Sequence, residues 1–333
     1  MRAVVQSRYG GPEVLEVRLI DPPVIAKDEV LVRVHAASMH PDVWHVLHGR
    51  PYVMRVMAPR RPRHPVPGID LAGVVEAVGP EVTRFEPGDA VFGETVRGFQ
   101  WANGGAFAEL ATAPEDALVH KPERLSFVEA AAVPTSGLIA LQSVRDQGRV
   151  RAGQEVLVNG AAGGVGMFAV QLAKAFGATV TAVDVAGKLD RLPTIGADRV
   201  IDAGQEDFTL GHYDVIVDIP GNRRYAEIRR ALAPDGTYVL IAHDAYGTQG
   251  RRWLGSFPSV LPLLARSLFD RRLPKPDFAA PQKRAAMETL ADFAEAGRLT
   301  PVIDRTFPLD EVADAIRHLE SGRVQGKVVI ALT

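Results

Sequence analysis

Three histidines lie within nine positions of this chain, in the stretch SMHPDVWHVLHG. They are His40, His45 and His48, and Asp42 and Trp44 lie between them. Imidazole is the most common side-chain metal ligand, and it is also suited to proton transfer near neutral pH. The stretch is therefore a candidate for either of two functions, a metal centre or a proton relay.

The amino-acid composition excludes several classes of site and of binding partner. The 333 residues include no cysteine, which excludes disulfides, thiolate nucleophiles, iron–sulfur clusters and cysteine-containing zinc sites. The net charge of -2 gives no global attraction to nucleic acid or to an anionic membrane. No run approaches the roughly 18 apolar residues of a membrane span, and the N-terminus alternates like a strand. We expect a cytoplasmic protein without nucleic-acid or membrane partners.

The first third of the chain is broken into short strand-like runs. Alternating or apolar segments occur at 29–38, 71–79, 86–94 and 106–113, with glycine and proline between them. Many short strands separated by turns indicate a compact, partly closed β-domain.

From about residue 122 the pattern changes to alternating helices and strands. Ser126 and Glu129 form a predicted capping box at the start of the first helix. The later strands are continuous Val/Ile/Leu runs, as in a parallel sheet that is covered on both faces. The alternation predicts a doubly wound α/β domain.

The stretch VLVNGAAGGVG is the most specific motif, because a strand precedes it and a helix follows it. Gly163 lets the backbone approach a pyrophosphate, and Gly166 lets the helix pack closely on the strand. The helix N-terminus then offers N–H groups to the phosphates. The candidate cofactor-binding residues are Ala162, Gly163, Gly164, Val165, Gly166, Asp184, Lys188, Ile219 and Lys327.

Asp184 ends the next predicted strand, where a carboxylate hydrogen-bonds the adenine ribose of a dinucleotide. It would repel the extra phosphate of NADP, although Lys188 and Arg191 offset that repulsion. The cofactor is therefore NAD(P)H with a modest preference for NADH. The alternative for Asp184 is a cap for the following turn.

Residues 251–274 are apolar with basic ends. The favoured interpretation is a helical insert at a dimer or domain interface. A membrane-surface segment is the weaker alternative, because the polar face is thin. The C-terminal tail has a strand–helix–strand pattern, which suggests a return to the first domain.

Six stretches carry a family resemblance, and they are VPGIDLAGVVEAVG, PGDAVFGE, GGAFAELA, AAAVPTSGLIAL, GAAGGVG and QGKVVI. Over nearly its whole length the chain resembles the medium-chain dehydrogenase/reductase superfamily, and most of all its zinc-independent, quinone oxidoreductase-like branch. The resemblance implies a GroES-like catalytic domain at 1–121 and 286–333. It also implies a Rossmann domain at 122–285, with an insert near 251–285 and a cleft between the domains.

The same resemblance implies hydride transfer from NAD(P)H to a small-molecule quinone, enone or enal, and a homodimer. Zinc-dependent relatives bind catalytic zinc through a cysteine, a His-Glu pair and a second cysteine. By resemblance, the residues of this chain at those positions are His40, Ile69-Asp70 and about Ala132. A catalytic zinc takes three protein ligands and a water, so we expect no metal site.

By resemblance, the nicotinamide lies near the segment from His40 to Trp44 and near a helix start at Thr135. His40 is the best candidate to donate to a substrate carbonyl or to relay a proton, with a packed structural histidine as the alternative. Asp42 either orients His40 or caps the next helix. Trp44 is either a flat wall against the substrate or core. We expect His45 and His48 on the helix surface.

Residues 50–63 contain five arginines and no acid. They form either a solvated loop or a flap over the substrate, in which Tyr52, Met54 and Met57 would add contacts. His40-Pro41 replaces the Asn-Pro that is common in the quinone reductase branch. Gly187 and Ala203 replace residues that often bind the NADP phosphate there. A metal-free alcohol dehydrogenase and a non-catalytic nucleotide-binding redox sensor remain the alternatives.

Overall fold

The computed structural model describes residues 1–56, 58–97, 102–242, 251–275 and 282–332. The chain divides into two compact units. Unit one contains Met1–Leu138 and Gln282–Thr333, and unit two contains Ile139–Pro281. No helix of the described part of the chain is both long and apolar enough to cross a membrane.

The elements of unit one occur in two stretches of the chain. Its strands are β1 (Arg2–Gln6), β2 (Leu15–Leu19), β3 (Glu29–Met39), β4 (Asp70–Val78), β5 (Ala90–Glu94), β6 (Leu110–Pro114), β7 (Leu118–His120), β13 (Ile303–Pro308) and β14 (Lys327–Ala331). Its helices are α1 (Pro41–His48), α2 (Phe127–Ala132), α7 (Lys283–Glu295) and α8 (Val312–Glu320), together with the start of α3 (Pro134–Leu141).

Strand β3 is the centre of unit one. The main sheet has the order β13-β14-β3-β4-β5-β7, and β6 also pairs with β3. From Val32 to Ala36, buried residues alternate with the exposed Arg33 and the half-buried His35, so this part of the strand sets one face against the core. The C-terminal strand β14 pairs antiparallel with β3, which returns the chain end to the first unit.

The predicted helix after Ser126 forms with its capping box, because the Ser126 hydroxyl accepts from the Glu129 N–H and the Glu129 carboxylate accepts from the Ser126 N–H. It ends at Ala132, however, and after a break at Val133 the chain continues as α3. Pro134 has no N–H for the helix ladder and clashes with the preceding turn. Helix α2 packs against β3, β4 and β14.

These contacts explain why the unit boundaries at 138/139 and 281/282 differ from the expected 121/122 and 285/286. Helix α2 buries Ala130, Ala131 and Ala132 in unit one. Lys283 forms an ion pair with Glu94 of the same unit. Both segments therefore belong with the β-rich unit rather than with the parallel sheet.

Unit two contains a parallel sheet. Its elements are β8 (Glu155–Asn159), α4 (Gly164–Ala175), β9 (Thr179–Asp184), β10 (Arg199–Asp202), β11 (Tyr213–Asp218), α5 (Tyr225–Ala231), β12 (Leu232–Leu240) and α6 (Phe257–Arg266). The strand order is β10-β9-β8-β11-β12, and every pair is parallel.

Burial in this sheet runs through consecutive residues. Val156, Leu157 and Val158 are all fully buried, as are Ile216 and Val217. Continuous burial means that both faces of the sheet are covered, which is the doubly wound arrangement expected from the sequence. The strand order reverses between β8 and β11, and open parallel sheets bind ligands at the carboxyl ends beside such a reversal.

Candidate functional site

The glycine-rich turn connects β8 to α4 at the carboxyl edge of the parallel sheet. Gly160 has a φ of 81°, a left-handed conformation that favours glycine. A Cβ on Gly166 would lie 2.1 Å from the Gly160 carbonyl oxygen, so only glycine permits this approach of helix and strand. Around a Cβ on Gly163, by contrast, the nearest atom is 3.5 Å away. The space beside Gly163 is open to a ligand.

Gly163 is the N-cap of α4, and Gly164, Val165 and Gly166 form its first turn. The first N–H groups of a helix have no partner within the helix, and the helix dipole adds positive potential there. This turn has the features of a pyrophosphate cradle: an open approach, donor groups and a tight helix–strand contact. The residues that the sequence singled out therefore fit a dinucleotide.

Asp184 ends β9 beside this turn. Its carboxylate accepts from the Ala162 N–H at 2.9 Å and from the Val185 N–H at 2.8 Å. Asp184 thus fixes the shape of the glycine-rich turn and also caps the turn that follows it. Each carboxylate oxygen has further acceptor capacity, so these bonds leave room for a ribose hydroxyl.

Ile219 follows β11, and its N–H donates to the Asn159 carbonyl oxygen at 3.1 Å. Its side chain lies beside Gly160, where a Cβ on that glycine would be 3.2 Å from the Ile219 Cβ. Ile219 is therefore next to the glycine-rich turn. Lys188 lies in the turn after β9, where its N–H donates to the Val185 carbonyl oxygen at 3.2 Å.

A buried polar network that the sequence did not reveal supports the same edge. Asp218 is fully buried and accepts from Asn159 Nδ2 at 2.9 Å, from Tyr238 Oη at 2.9 Å and from the Gly221 N–H at 3.0 Å. These bonds tie the ends of β8, β11 and β12 together. The only sequence signal was an acid at the end of the apolar run YDVIVD.

In unit one, His40 and Asp42 form a buried pair. His40 is the N-cap of α1, and its Nδ1 lies 2.9 Å from Asp42 Oδ2. Since an ionised carboxylate only accepts, Nδ1–H donates to Asp42. In the neutral imidazole, Nε2 is then the acceptor nitrogen, and it becomes a donor when the ring is protonated. Asp42 therefore orients His40. The alternative that Asp42 caps the helix is not what the structure has, because the N-cap residue of α1 is His40.

The other two histidines of the stretch have separate partners. His45 donates from Nδ1 to the Arg50 carbonyl oxygen at 2.9 Å, and His48 donates from Nε2 to Glu320 at 2.8 Å. The expectation that His45 lies on the exposed surface of the helix is wrong. His45 lies on the buried side of α1, with 5% of its surface exposed. Burial lowers the pKa of His45 and favours its neutral form.

Trp44 is also buried, with 2% of its surface exposed, and its Nε1 donates to Glu320 at 2.7 Å. This placement matches the core alternative for Trp44, and a contact with substrate stays a prediction. The three histidines point to different partners. Within the described ranges, no group of three or more His, Asp or Glu side chains has the arrangement to hold a metal ion.

Residues Tyr52–Val56 form a short 3-10 helix next to α1. The Arg55 guanidinium donates to the carbonyl oxygens of His48 and Gly49, and it stacks on the rings of Tyr9 and Tyr52. This part of the expected loop is tied to α1. The Met54 side chain and Met57 lie outside the described residues, so their proposed substrate contacts stay predictions.

Four buried charged side chains lie close together in unit one. We call Asp70, Glu94, Lys283 and Lys327 the buried charge cluster. Their exposed fractions are 1%, 1%, 9% and 2%. Lys283 pairs with the Glu94 carboxylate, and Lys327 Nζ lies 3.6 Å from Asp70 Oδ2. Two cations balance two anions, as burial of charge requires.

Thr135 connects the two ion pairs. Its hydroxyl lies 2.5 Å from Asp70 Oδ1 and 2.9 Å from Glu94 Oε1. A hydroxyl has one hydrogen, and in Thr135 that hydrogen is committed to this carboxylate pair.

Lys327 is the first residue of β14, and it donates to Ser136 Oγ at 3.1 Å. Burial lowers the pKa of Lys327, and the Asp70 carboxylate partly counteracts this. The structure thus brings Lys327 together with Thr135, through Asp70. The sequence had assigned Lys327 to the cofactor, and that role stays a prediction. Nothing local in the sequence connects Lys283 with Glu94, which is 189 positions away.

Two family models match the chain. One, described as alcohol dehydrogenase GroES-like domain, matches residues 26–123, and the other, described as zinc-binding dehydrogenase, matches residues 195–330. Among curated proteins, a 2-methylene-furan-3-one reductase of Solanum lycopersicum is 32% identical, with 99% of this chain and 79% of that protein covered.

A quinone oxidoreductase of Homo sapiens is 30% identical, with 100% of this chain and 98% of that protein covered. Among solved structures, the quinone oxidoreductase of Coxiella burnetii superposes with a TM-score of 0.84 at 29% identity. That match covers 100% of this chain and 99% of the other.

The buried charge cluster leads to a stability prediction. Lys327→Met should lower the free energy of unfolding by about 3–5 kcal/mol, because Asp70 is left buried without its counter-charge. Lys27→Met is the matched control. Its partner Glu81 is exposed, so we expect a loss below about 1 kcal/mol. Urea unfolding measures both, and equal losses would contradict the assignment of Lys327 as the counter-charge of Asp70.

Proposed function

Because this chain belongs to the quinone oxidoreductase-like branch of the medium-chain dehydrogenase/reductase superfamily, we propose that it transfers hydride from NAD(P)H to a quinone or an α,β-unsaturated carbonyl. The observation that carries the proposal is the turn at Gly160–Gly166, with its open approach at Gly163. The bound dinucleotide supplies the hydride, and the protein supplies binding, orientation and electrostatics.

Coenzyme choice is a finer part of the proposal. Asp184 supports a preference for NADH, because its carboxylate, held in place by the Ala162 and Val185 N–H groups, would repel a ribose phosphate. Gly187 and Ala203 add no charge that would bind that phosphate. Lys188 offsets part of the repulsion, so we expect a modest preference.

We assign the proton chemistry to His40. Reduction of an enone or quinone leaves a negative oxygen, which is stabilised by a donor and finally takes a proton. The bond from Nδ1 to Asp42 fixes the orientation of the imidazole, and Nε2 is the ring nitrogen that would exchange a proton with the substrate. Asp42 is then the positioning residue for His40, and Thr135 with the buried charge cluster supports the neighbouring backbone.

The direct test is substrate-dependent loss of reduced-nicotinamide absorbance. We expect turnover with quinones, enals or enones, and faster turnover with NADH than with NADPH. Alcohol-dependent reduction of NAD(P)⁺ that chelators do not inhibit, without quinone or enone reduction, would favour the metal-free alcohol dehydrogenase instead. Consumption of neither coenzyme with any acceptor would favour a non-catalytic nucleotide-binding protein.

His40 provides a test of the residue assignment. His40→Ala and His40→Asn should each lower kcat by about a hundredfold, the usual contribution of a positioned acid–base group. The KM for the dinucleotide should change little. His48→Gln is the control, since glutamine still donates to Glu320, and it should keep wild-type turnover. Unchanged turnover in both His40 variants would refute the catalytic role.

A further inference from the structure

We propose that α6 and the arginine-lined cavity at its C-terminal end dock this protein on an anionic lipid membrane surface. This inference goes beyond the proposed reduction chemistry and does not depend on it. It rests on an exposed apolar stripe, an adjacent basic cavity and the charge of the whole segment.

One face of α6 and the turn that follows it is apolar and exposed. Phe257, Leu261, Leu264 and Leu268 are spaced by four, three and four residues, so they share one side of the helix. Their exposed fractions are 42%, 55%, 38% and 64%. Leu263, on another side of the helix, packs against the core of unit two. The helix therefore has one side that packs against the core of unit two and another, apolar side that is exposed.

Further large apolar side chains extend this stripe at both ends. Trp253 and Leu254 precede α6 with exposed fractions of 73% and 50%, and Phe269 follows it with 90%. Tryptophan, phenylalanine and leucine are the side chains that interfacial helices insert at the headgroup boundary. A concentration of exposed large apolar side chains in one segment marks an interaction site.

A basic cavity adjoins the stripe at Phe269. Its volume is about 550 Å³, and its lining includes Arg229, Arg266, Arg271, Arg272 and Phe269. Asp235 and Asp270 also line it, and Tyr225 donates to Asp270 at 2.8 Å. Four guanidinium groups against two carboxylates favour an anionic occupant. Phe269 belongs to both features, so the apolar and basic surfaces are continuous.

The positive charge of this segment favours an anionic lipid surface over a second copy of the chain as its partner. Residues 251–275 carry six cationic side chains and one acidic one, while the whole chain has a net charge of -2. A second copy seated on this stripe would bring two cationic segments together, which is unfavourable. An anionic lipid surface attracts each basic residue and accepts the apolar stripe. In the sequence, a membrane-surface segment was the weaker interpretation, because the polar face of the segment is thin. In the structure, the arginines of the adjoining cavity supply that polar face.

The test is co-sedimentation of the full chain with phosphatidylcholine vesicles, with and without phosphatidylglycerol. Wild type should bind only the vesicles that contain phosphatidylglycerol, and high salt should weaken binding. Leu261→Ser/Leu264→Ser and Arg229→Glu/Arg271→Glu should each lower affinity by about tenfold or more. The matched controls are Leu210→Ser, at a leucine 80% exposed elsewhere in unit two, and Arg151→Glu, and both should bind like wild type.

No wild-type binding to phosphatidylglycerol vesicles at low salt would overturn the proposal. Equal binding by both double variants and by the controls would also overturn it. Sedimentation velocity distinguishes the competing occupant. If wild type is a dimer that Leu261→Ser/Leu264→Ser separates into single chains, and neither binds vesicles, the stripe belongs to a second copy.

Discussion

The close approach of α4 to β8 is the constraint on which the nucleotide-binding half of this protein depends. A single Cβ at Gly166 would collide with the Gly160 carbonyl oxygen. Because both positions are glycine, the helix begins directly at the carboxyl edge of the sheet, with its N-terminal donors directed outward. Asp184 and the network around Asp218 then hold the turn from the two neighbouring strands.

A second constraint operates in the β-rich unit. Burying four charges costs several kcal/mol per ion unless each is paired and hydrogen-bonded. Lys327 begins the last strand and Lys283 begins α7. Their partners lie in the first third of the chain, where Asp70 begins β4 and Glu94 ends β5. The pairing therefore fixes where the C-terminal segment returns. It also holds Thr135 at the start of α3, next to the strand that leads into His40.

Features encoded locally were predictable from the sequence. The glycine spacing, Asp184 at the strand end and the Ser126 capping box each need only a few consecutive residues, and the structure contains all three. The burial of His45 was not predictable, because it depends on what covers α1 rather than on the helix itself. The pairing of Lys283 with Glu94 joins distant parts of the chain, and no periodic pattern encodes it. Proline at 134 did carry a signal for the break between α2 and α3, which the apolar run obscured.

The most direct test of the central claim is a titration of Gly163→Ala with NADH, followed by nicotinamide fluorescence, beside a thermal unfolding scan. The added methyl group has room within the protein, so the unfolding temperature should match wild type. The same methyl group would stand where the pyrophosphate approaches, so affinity should fall by about tenfold or more. Wild-type affinity in a normally folded Gly163→Ala would contradict the account, because the glycine-rich turn would then not be the dinucleotide cradle.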